Sequence, residues 1–121
     1  MAVTGKQVFK MNDDFKDFVL KVPPIALKEP LAETLGAFNG GSNVIEYTFA
    51  DTVKMAGHMC PTVTGAYLVC GKALKELYGG EMPVRGEIEV TVYGEPDEGV
   101  YGVMAQVFSL ITGAAPKSGF R

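Results

Sequence analysis

Tryptophan is absent from this 121-residue chain, histidine occurs once and cysteine twice. Two cysteines are too few for the disulfide framework of a small secreted domain, so we expect free thiols or metal ligands in a reducing compartment. No stretch reaches the ~18 consecutive apolar residues of a membrane span, and residues 1–14 lack the apolar run of a signal peptide. These absences predict a cytoplasmic protein that does not cross a membrane.

Basic residues are also few. Eleven Lys and Arg stand against fourteen Asp and Glu, which gives a net charge of −3 and a pI of about 5.1. The basic residues are scattered, so the chain has no electrostatic footprint for nucleic acid. Because 47% of the residues are apolar, we expect residues 1–121 to form one domain with a single core.

Helical and extended patterns are mixed in the first half of the chain. Apolar side chains at helical spacing predict a helix over residues 12–22, which Pro23-Pro24 ends. Residues 30–38 fit either a helix or an extended segment. Residues 44–49 alternate in hydrophobicity, which predicts a strand.

Two helices separated by a corner are expected next. Asp51 is expected to cap a short helix over residues 52–56, and Gly57 suits its left-handed exit. Pro61 favours the first position of a second helix that runs to Tyr78. That helix carries an apolar stripe formed by Val63, Tyr67, Cys70, Leu74 and Leu77.

The last third of the chain predicts a further strand and a further helix. Residues 86–94, with the sequence GEIEVTVYG, alternate like a half-exposed strand, and residues 95–99 resemble a turn. Residues 100–111 fit a buried strand or a helix, and their length and the following Gly113 favour the helix. The mixture predicts an α+β fold with a small mixed or antiparallel sheet packed against helices.

The only histidine and one of the two cysteines lie at the corner, in the sequence Gly57-His58-Met59-Cys60-Pro61. With Pro61 at the first helical position, Cys60 is the N-cap, where the helix dipole lowers a thiol pKa from ~8.5. A thiolate binds metals and attacks electrophiles. The His58 imidazole is expected close to it, so the pair supplies two ligands where zinc usually takes three or four.

A purely structural interpretation of this corner stays open, in which Gly57 turns the chain, Pro61 starts a helix, and His58 and Cys60 fill local space. Serine or aspartate caps a helix better than cysteine, which favours a functional role. Cys70 lies ten residues further, ~15 Å along the helix. A disulfide needs Cα atoms within roughly 7 Å, so Cys70 is interpreted as a core residue.

Three hydroxyl side chains are candidate ligand contacts. Thr62 follows the corner and is placed to hydrogen-bond to a ligand held at Cys60, while Ser109 and Thr112 end an apolar segment. For all three, hydrogen bonding to the neighbouring helix backbone is the alternative.

The run from YTFADTVKMAGHMCPTVTGAYLVCGKAL to ITGAAPKSGF resembles the formylmethanofuran dehydrogenase E-subunit family, whose hallmark is a Gly-His-X-Cys-Pro corner before a helix of small residues. The resemblance covers residues 43–120, about two thirds of the chain. It implies an α+β domain in an intertwined homodimer. It also implies a transition metal on His58 and Cys60, usually zinc, with nickel or iron as the alternatives.

Three functions follow as hypotheses. The first is a metal-binding protein, either an enzyme for a small-molecule substrate or an accessory protein of a redox enzyme. The second is a metal-free thiol enzyme in which Cys60 is the nucleophile and His58 the base. The third is a non-catalytic, dimeric accessory protein that associates with a molybdenum or tungsten enzyme. A shared fold does not choose among them.

Overall fold

A computed structural model describes residues 15–117 of the chain, and their fold is α+β, as predicted. In chain order the described elements are α1 (Asp17–Lys21), β1 (Ile25–Lys28), α2 (Pro30–Thr34), a 3₁₀ turn (Asn39–Gly41), β2 (Val44–Tyr47), α3 (Phe49–Ala56), α4 (Pro61–Tyr78) and α5 (Tyr101–Thr112). None of these helices combines the length and apolarity that crossing a membrane requires.

The sheet is a two-stranded antiparallel ribbon in which Ile25 pairs with Tyr47 and Lys28 with Val44. The strand prediction for residues 44–49 is confirmed over Val44–Tyr47, whereas the sequence pattern does not predict β1. One parallel bridge joins Lys28 to Val84. Through it the chain after α4 is attached to the edge of the ribbon.

Helix α4 lies at the centre of the core. Its buried residues are Val63, Ala66, Tyr67, Cys70 and Leu74, and α5 adds Val107 and Ile111. The Tyr67 hydroxyl lies 2.8 Å from the Pro23 carbonyl oxygen and 3.0 Å from the Tyr47 carbonyl oxygen, and these two acceptors share its one proton. This contact ties α4 to the ribbon. Leu77, predicted on the same stripe, is 66% exposed, because no described element covers that face at the last turn.

Arg85 links the ribbon to the end of α5. Its Nη1 donates to the Glu29 carboxylate at 2.9 Å and its Nη2 to the Leu110 carbonyl at 3.1 Å. The guanidinium also lies 5.4 Å from the centre of the Tyr47 ring. The C-terminal end of α5 is thereby held against β1, β2 and the chain that follows α4.

Several predicted boundaries are corrected. The first helix spans Asp17–Lys21 rather than residues 12–22, of which 12–14 lie outside the described residues. The ambiguous residues 30–38 contain helix α2. Helix α3 begins at Phe49, and its cap is Thr48, because Asp51 is the third helical residue and its carboxylate accepts from the Thr48 N–H at 2.8 Å.

The strand predicted over residues 86–94 is wrong. No ladder forms there, because the pairing with β1 ends at Val84 and the described chain supplies no other strand beside this segment. Ile88 still packs on the core, whereas Val90 is exposed. The turn over residues 95–99 and the helix that follows it are confirmed.

Candidate functional site

The corner between α3 and α4 holds Cys60 at the start of an 18-residue helix, as the sequence predicted. Gly57 ends α3 with φ 76°, a left-handed conformation that glycine adopts without strain. Cys60 is the N-cap residue, and Pro61 follows at the first helical position, where its missing N–H leaves no bond unmade. The corner is therefore positioned by two well-specified helix ends.

The Cys60 thiol lies at the positive end of α4 and has a pKa below its usual value. The main cause is the backbone N–H of Val63, with further contributions from His58 and the Thr62 N–H, while partial burial acts in the opposite direction. These N–H groups belong to the first helical turn, where the helix itself supplies no acceptor for them. The Cys60 thiol is thus more acidic than an ordinary cysteine thiol.

The His58 imidazole is exposed and interacts with Cys60. Its Nδ1 lies 3.0 Å from the Ala56 carbonyl oxygen, and since a carbonyl only accepts, the ring donates from Nδ1. In the neutral ring, Nε2 then carries the lone pair. The contact with Cys60 is the main cause that raises the pKa of His58, and the Ala56 carbonyl adds to it.

As a metal site, this corner supplies two of the expected ligands. Within residues 15–117 no group of three His, Cys, Asp and Glu side chains lies close enough to hold one ion. A thiolate and a neutral imidazole suit zinc, nickel and iron, and protein zinc sites take three or four protein ligands. The chemistry of the two donors fits a transition metal. Its other coordination positions would be filled by groups other than the His, Cys, Asp and Glu side chains of residues 15–117.

A cavity of about 590 Å³ opens beside Cys60, and we call it the Cys60 cavity. Phe49 and Tyr67 form its buried part, while Phe18, Met59 and Leu68 line it with exposed side chains. Burial raises the pKa of Tyr67 to about 12, so its hydroxyl is neutral. Tyr67 is a core residue whose ring also bounds the cavity.

The three candidate hydroxyl residues do not share one cavity. Thr62 lies in the first turn of α4, with its N–H directed at Cys60. Ser109 lines a second cavity of about 950 Å³, which has no residue in common with the Cys60 cavity. The buried Thr112 hydroxyl donates to the Phe108 carbonyl at 2.6 Å and accepts from the Ala114 N–H at 3.1 Å.

Sequence reasoning misses the contribution of α1 to the site. Helical spacing places Phe18 on the buried side of the first helix, yet it is 54% exposed and lines the Cys60 cavity, as does Val22. The spacing of both residues indicates a helix, but the surface they face depends on tertiary packing. Both cysteines are free thiols, in agreement with the exclusion of a disulfide, and Cys70 is buried in the core.

No protein-family model, curated protein or solved structure matches this chain. The resemblance carried by the Gly-His-X-Cys-Pro corner, and the metal and homodimer that it implies, therefore stay predictions.

Proposed function

We propose that this protein binds a transition-metal ion through Cys60 and His58, with zinc as the expected element and nickel or iron as alternatives. The observation that carries the proposal is the orientation of His58. Its Nδ1–H is held by the Ala56 carbonyl, which leaves Nε2 available next to a cysteine that favours the thiolate. Metal-binding histidines commonly donate their other ring N–H to a carbonyl or carboxylate in this way.

The remaining ligands are proposed to come from a second copy of the chain or from water and substrate. Two corners that meet would provide two thiolates and two imidazoles, a common tetrahedral zinc set. A homodimer that shares one ion between two chains is the corresponding assembly.

Where water or substrate completes the coordination instead of a second copy, a bound metal would polarise a carbonyl group or activate water at that open position. The residues of the chain contribute the remaining properties of the site. His58 and Cys60 would hold the ion, and the N–H groups of Val63 and Thr62 lower the pKa of the Cys60 thiol. The apolar wall beside Cys60 limits the access of water from one side.

Cobalt titration tests this proposal directly. Metal-free protein mixed with Co²⁺ is expected to develop a thiolate-to-cobalt charge-transfer band that is absent in Cys60→Ser and shifted or weakened in His58→Gln. Protons compete for both ligands, so the apparent affinity is expected to fall as the pH is lowered. A spectrum identical to that of Cys60→Ser would contradict ligation by Cys60.

The same titration measures the stoichiometry. Saturation at one ion per two chains, together with a zinc-dependent increase in mass during sedimentation, is expected for a shared site. Saturation at one ion per monomeric chain would contradict the homodimer and would assign the other positions to water or to residues outside 15–117.

A metal-free thiol enzyme is the second candidate, and the contact between His58 and Cys60 favours it. In this function the Cys60 thiolate attacks an electrophilic carbonyl carbon, and the leaving group departs with a proton from the imidazolium. Water then hydrolyses the thioester with His58 as base, which restores the thiolate. Turnover that persists after complete removal of metal would favour this candidate.

A further inference from the structure

The Cys60 cavity differs from the rest of the described surface because it combines an apolar wall with the reactive corner. Its volume of about 590 Å³ lies within the ~300–1,000 Å³ range of small-molecule sites. Apart from Cys60, the residues that line it are apolar or aromatic, together with Gly65 and Thr64. Such a cavity selects for the shape and apolarity of a ligand rather than for its charge.

The side chains that line the cavity are buried on its inner wall and exposed on its outer wall. Phe49 and Tyr67 are each only 2% exposed, so the inner wall is part of the core. The outer wall consists of Phe18, Met59 and Leu68, whose side chains retain half or nearly half of their exposure. An apolar group that entered would bury the outer side chains and contact the inner ones without opening the core.

We propose that the Cys60 cavity binds the alkyl or aryl part of a small carbonyl compound and directs the carbonyl group toward Cys60. This substrate class rests on the proposed function, because a carbonyl is the group that either a metal on Cys60 or the thiolate itself would engage. The contribution of the cavity is separate from that chemistry. It places an apolar substituent of the ligand against Phe49, Tyr67 and Leu68.

Gly65 offers a way to close the cavity without disturbing the fold. It lies within α4, lines the cavity, and a Cβ built on it meets no atom within 4 Å. Replacing a helical glycine also stabilises a helix by about 1 kcal/mol. The variant Gly65→Leu is therefore expected to fold and to occupy the cavity with its side chain.

Maleimides of different chain length test the proposal on the full-length chain after removal of metal with a chelator. N-hexylmaleimide and N-methylmaleimide react with the same thiolate, so the ratio of their rates at Cys60 cancels the thiol pKa. This ratio is divided by the same rate ratio measured for the free thiol N-acetylcysteine, and the quotient is the corrected ratio. We expect a preference of at least about tenfold for the hexyl reagent, since part of its chain leaves water.

Gly65→Leu is expected to abolish this preference while the rate with N-methylmaleimide stays within a few-fold of wild type. Leu68→Ser is expected to reduce the preference for the hexyl reagent. Leu77→Ser is the matched control, because Leu77 is an exposed leucine of the same helix outside the cavity, and its preference is expected to be unchanged.

A corrected ratio near one in the wild type would overturn the proposal. A ratio that falls as the protein concentration rises would also overturn it, because a second copy would then occupy the cavity. Failure of the proposed function looks different. In that case no metal binds and Cys60 reacts with N-methylmaleimide at an ordinary rate, while the preference for the hexyl chain and its loss in Gly65→Leu persist.

Discussion

Cys60 and Cys70 lie on the same helix and have opposite properties. Cys60 is half-buried at the N-terminus of α4, where the Val63 N–H is the main cause that lowers its pKa. Cys70 lies in the middle of the helix and is only 4% exposed, and burial raises its pKa to about 11. Ten residues separate a thiol whose pKa is lowered from one whose pKa is raised.

The contrast shows that position within a helix decides what a cysteine can do. At the first turn, backbone N–H groups lack intrahelical partners and stabilise an anion. In the middle of the helix the backbone N–H groups donate to carbonyls of the preceding turn and are not available to a side chain. A buried sulfur there contacts only apolar neighbours. Cys60 is therefore suited to ligation or attack and Cys70 to packing.

Alkylation rates should separate the two cysteines most strongly. A pKa of about 11 for Cys70, against an ordinary value of 9.0, reduces its thiolate at neutral pH by on the order of 100-fold. The lowered pKa of Cys60 widens the difference. Peptide mapping after iodoacetamide treatment of metal-free protein at pH 7 is expected to show Cys60 labelled at least about 100 times faster.

Unfolding in urea provides the control for that experiment, because Cys70 becomes accessible and loses its burial. The two cysteines are then expected to react at similar rates. Equal rates in the folded protein would contradict the difference in their environments.

When the free energy of unfolding is measured, serine substitution is expected to have the larger effect at Cys70 and the smaller effect at Cys60. Cys70→Ser places a hydroxyl among apolar side chains and is expected to lower the free energy of unfolding by about 1–3 kcal/mol. Cys60→Ser introduces a better N-cap and is expected to raise it by up to about 1 kcal/mol. Urea unfolding in the presence of a chelator checks both values.

Because the chelator removes metal, metal binding does not contribute to the measured differences in the free energy of unfolding. A large loss of stability in metal-free Cys60→Ser would mean that the sulfur packs like a core residue. That result would favour the purely structural interpretation of the corner.

His58→Gln is expected to have the smallest effect. The variant removes the imidazole but leaves the Val63 N–H, which is the larger influence on the Cys60 pKa. The pH profile of Cys60 alkylation should therefore move to higher pH, with a few-fold lower rate at pH 7. Lys54→Gln is the matched control, since it removes one exposed positive charge from the end of α3 and should leave the profile in place.

The corner was predictable from the sequence because its causes are local. Gly57, Cys60 and Pro61 specify a helix exit, a cap and a helix start within a few residues, and the structure confirms each of them. The core role of Cys70 followed in the same way from helical spacing. The proposed metal, its other ligands and the proposed substrate depend on groups that the pattern of this corner does not encode.

The errors occurred where tertiary contacts decide the outcome. Residues 86–94 carry a strand pattern, but a strand forms only beside a partner, and β1 pairs with β2 and with Val84 instead. Leu77 fits the buried stripe of α4 but lies where that face is uncovered. The role of α1 in the Cys60 cavity likewise required the packing of distant segments.

Metal content tests the central claim most directly. Untagged wild-type protein, His58→Ala, Cys60→Ser and Cys70→Ala would be analysed by plasma mass spectrometry, with circular dichroism as the check on folding. We predict bound transition metal in the wild type and in Cys70→Ala, and its loss from the folded His58→Ala and Cys60→Ser variants. A wild type that holds no zinc, nickel or iron even after reconstitution would contradict the claim and favour either the thiol enzyme or the purely structural interpretation of the corner.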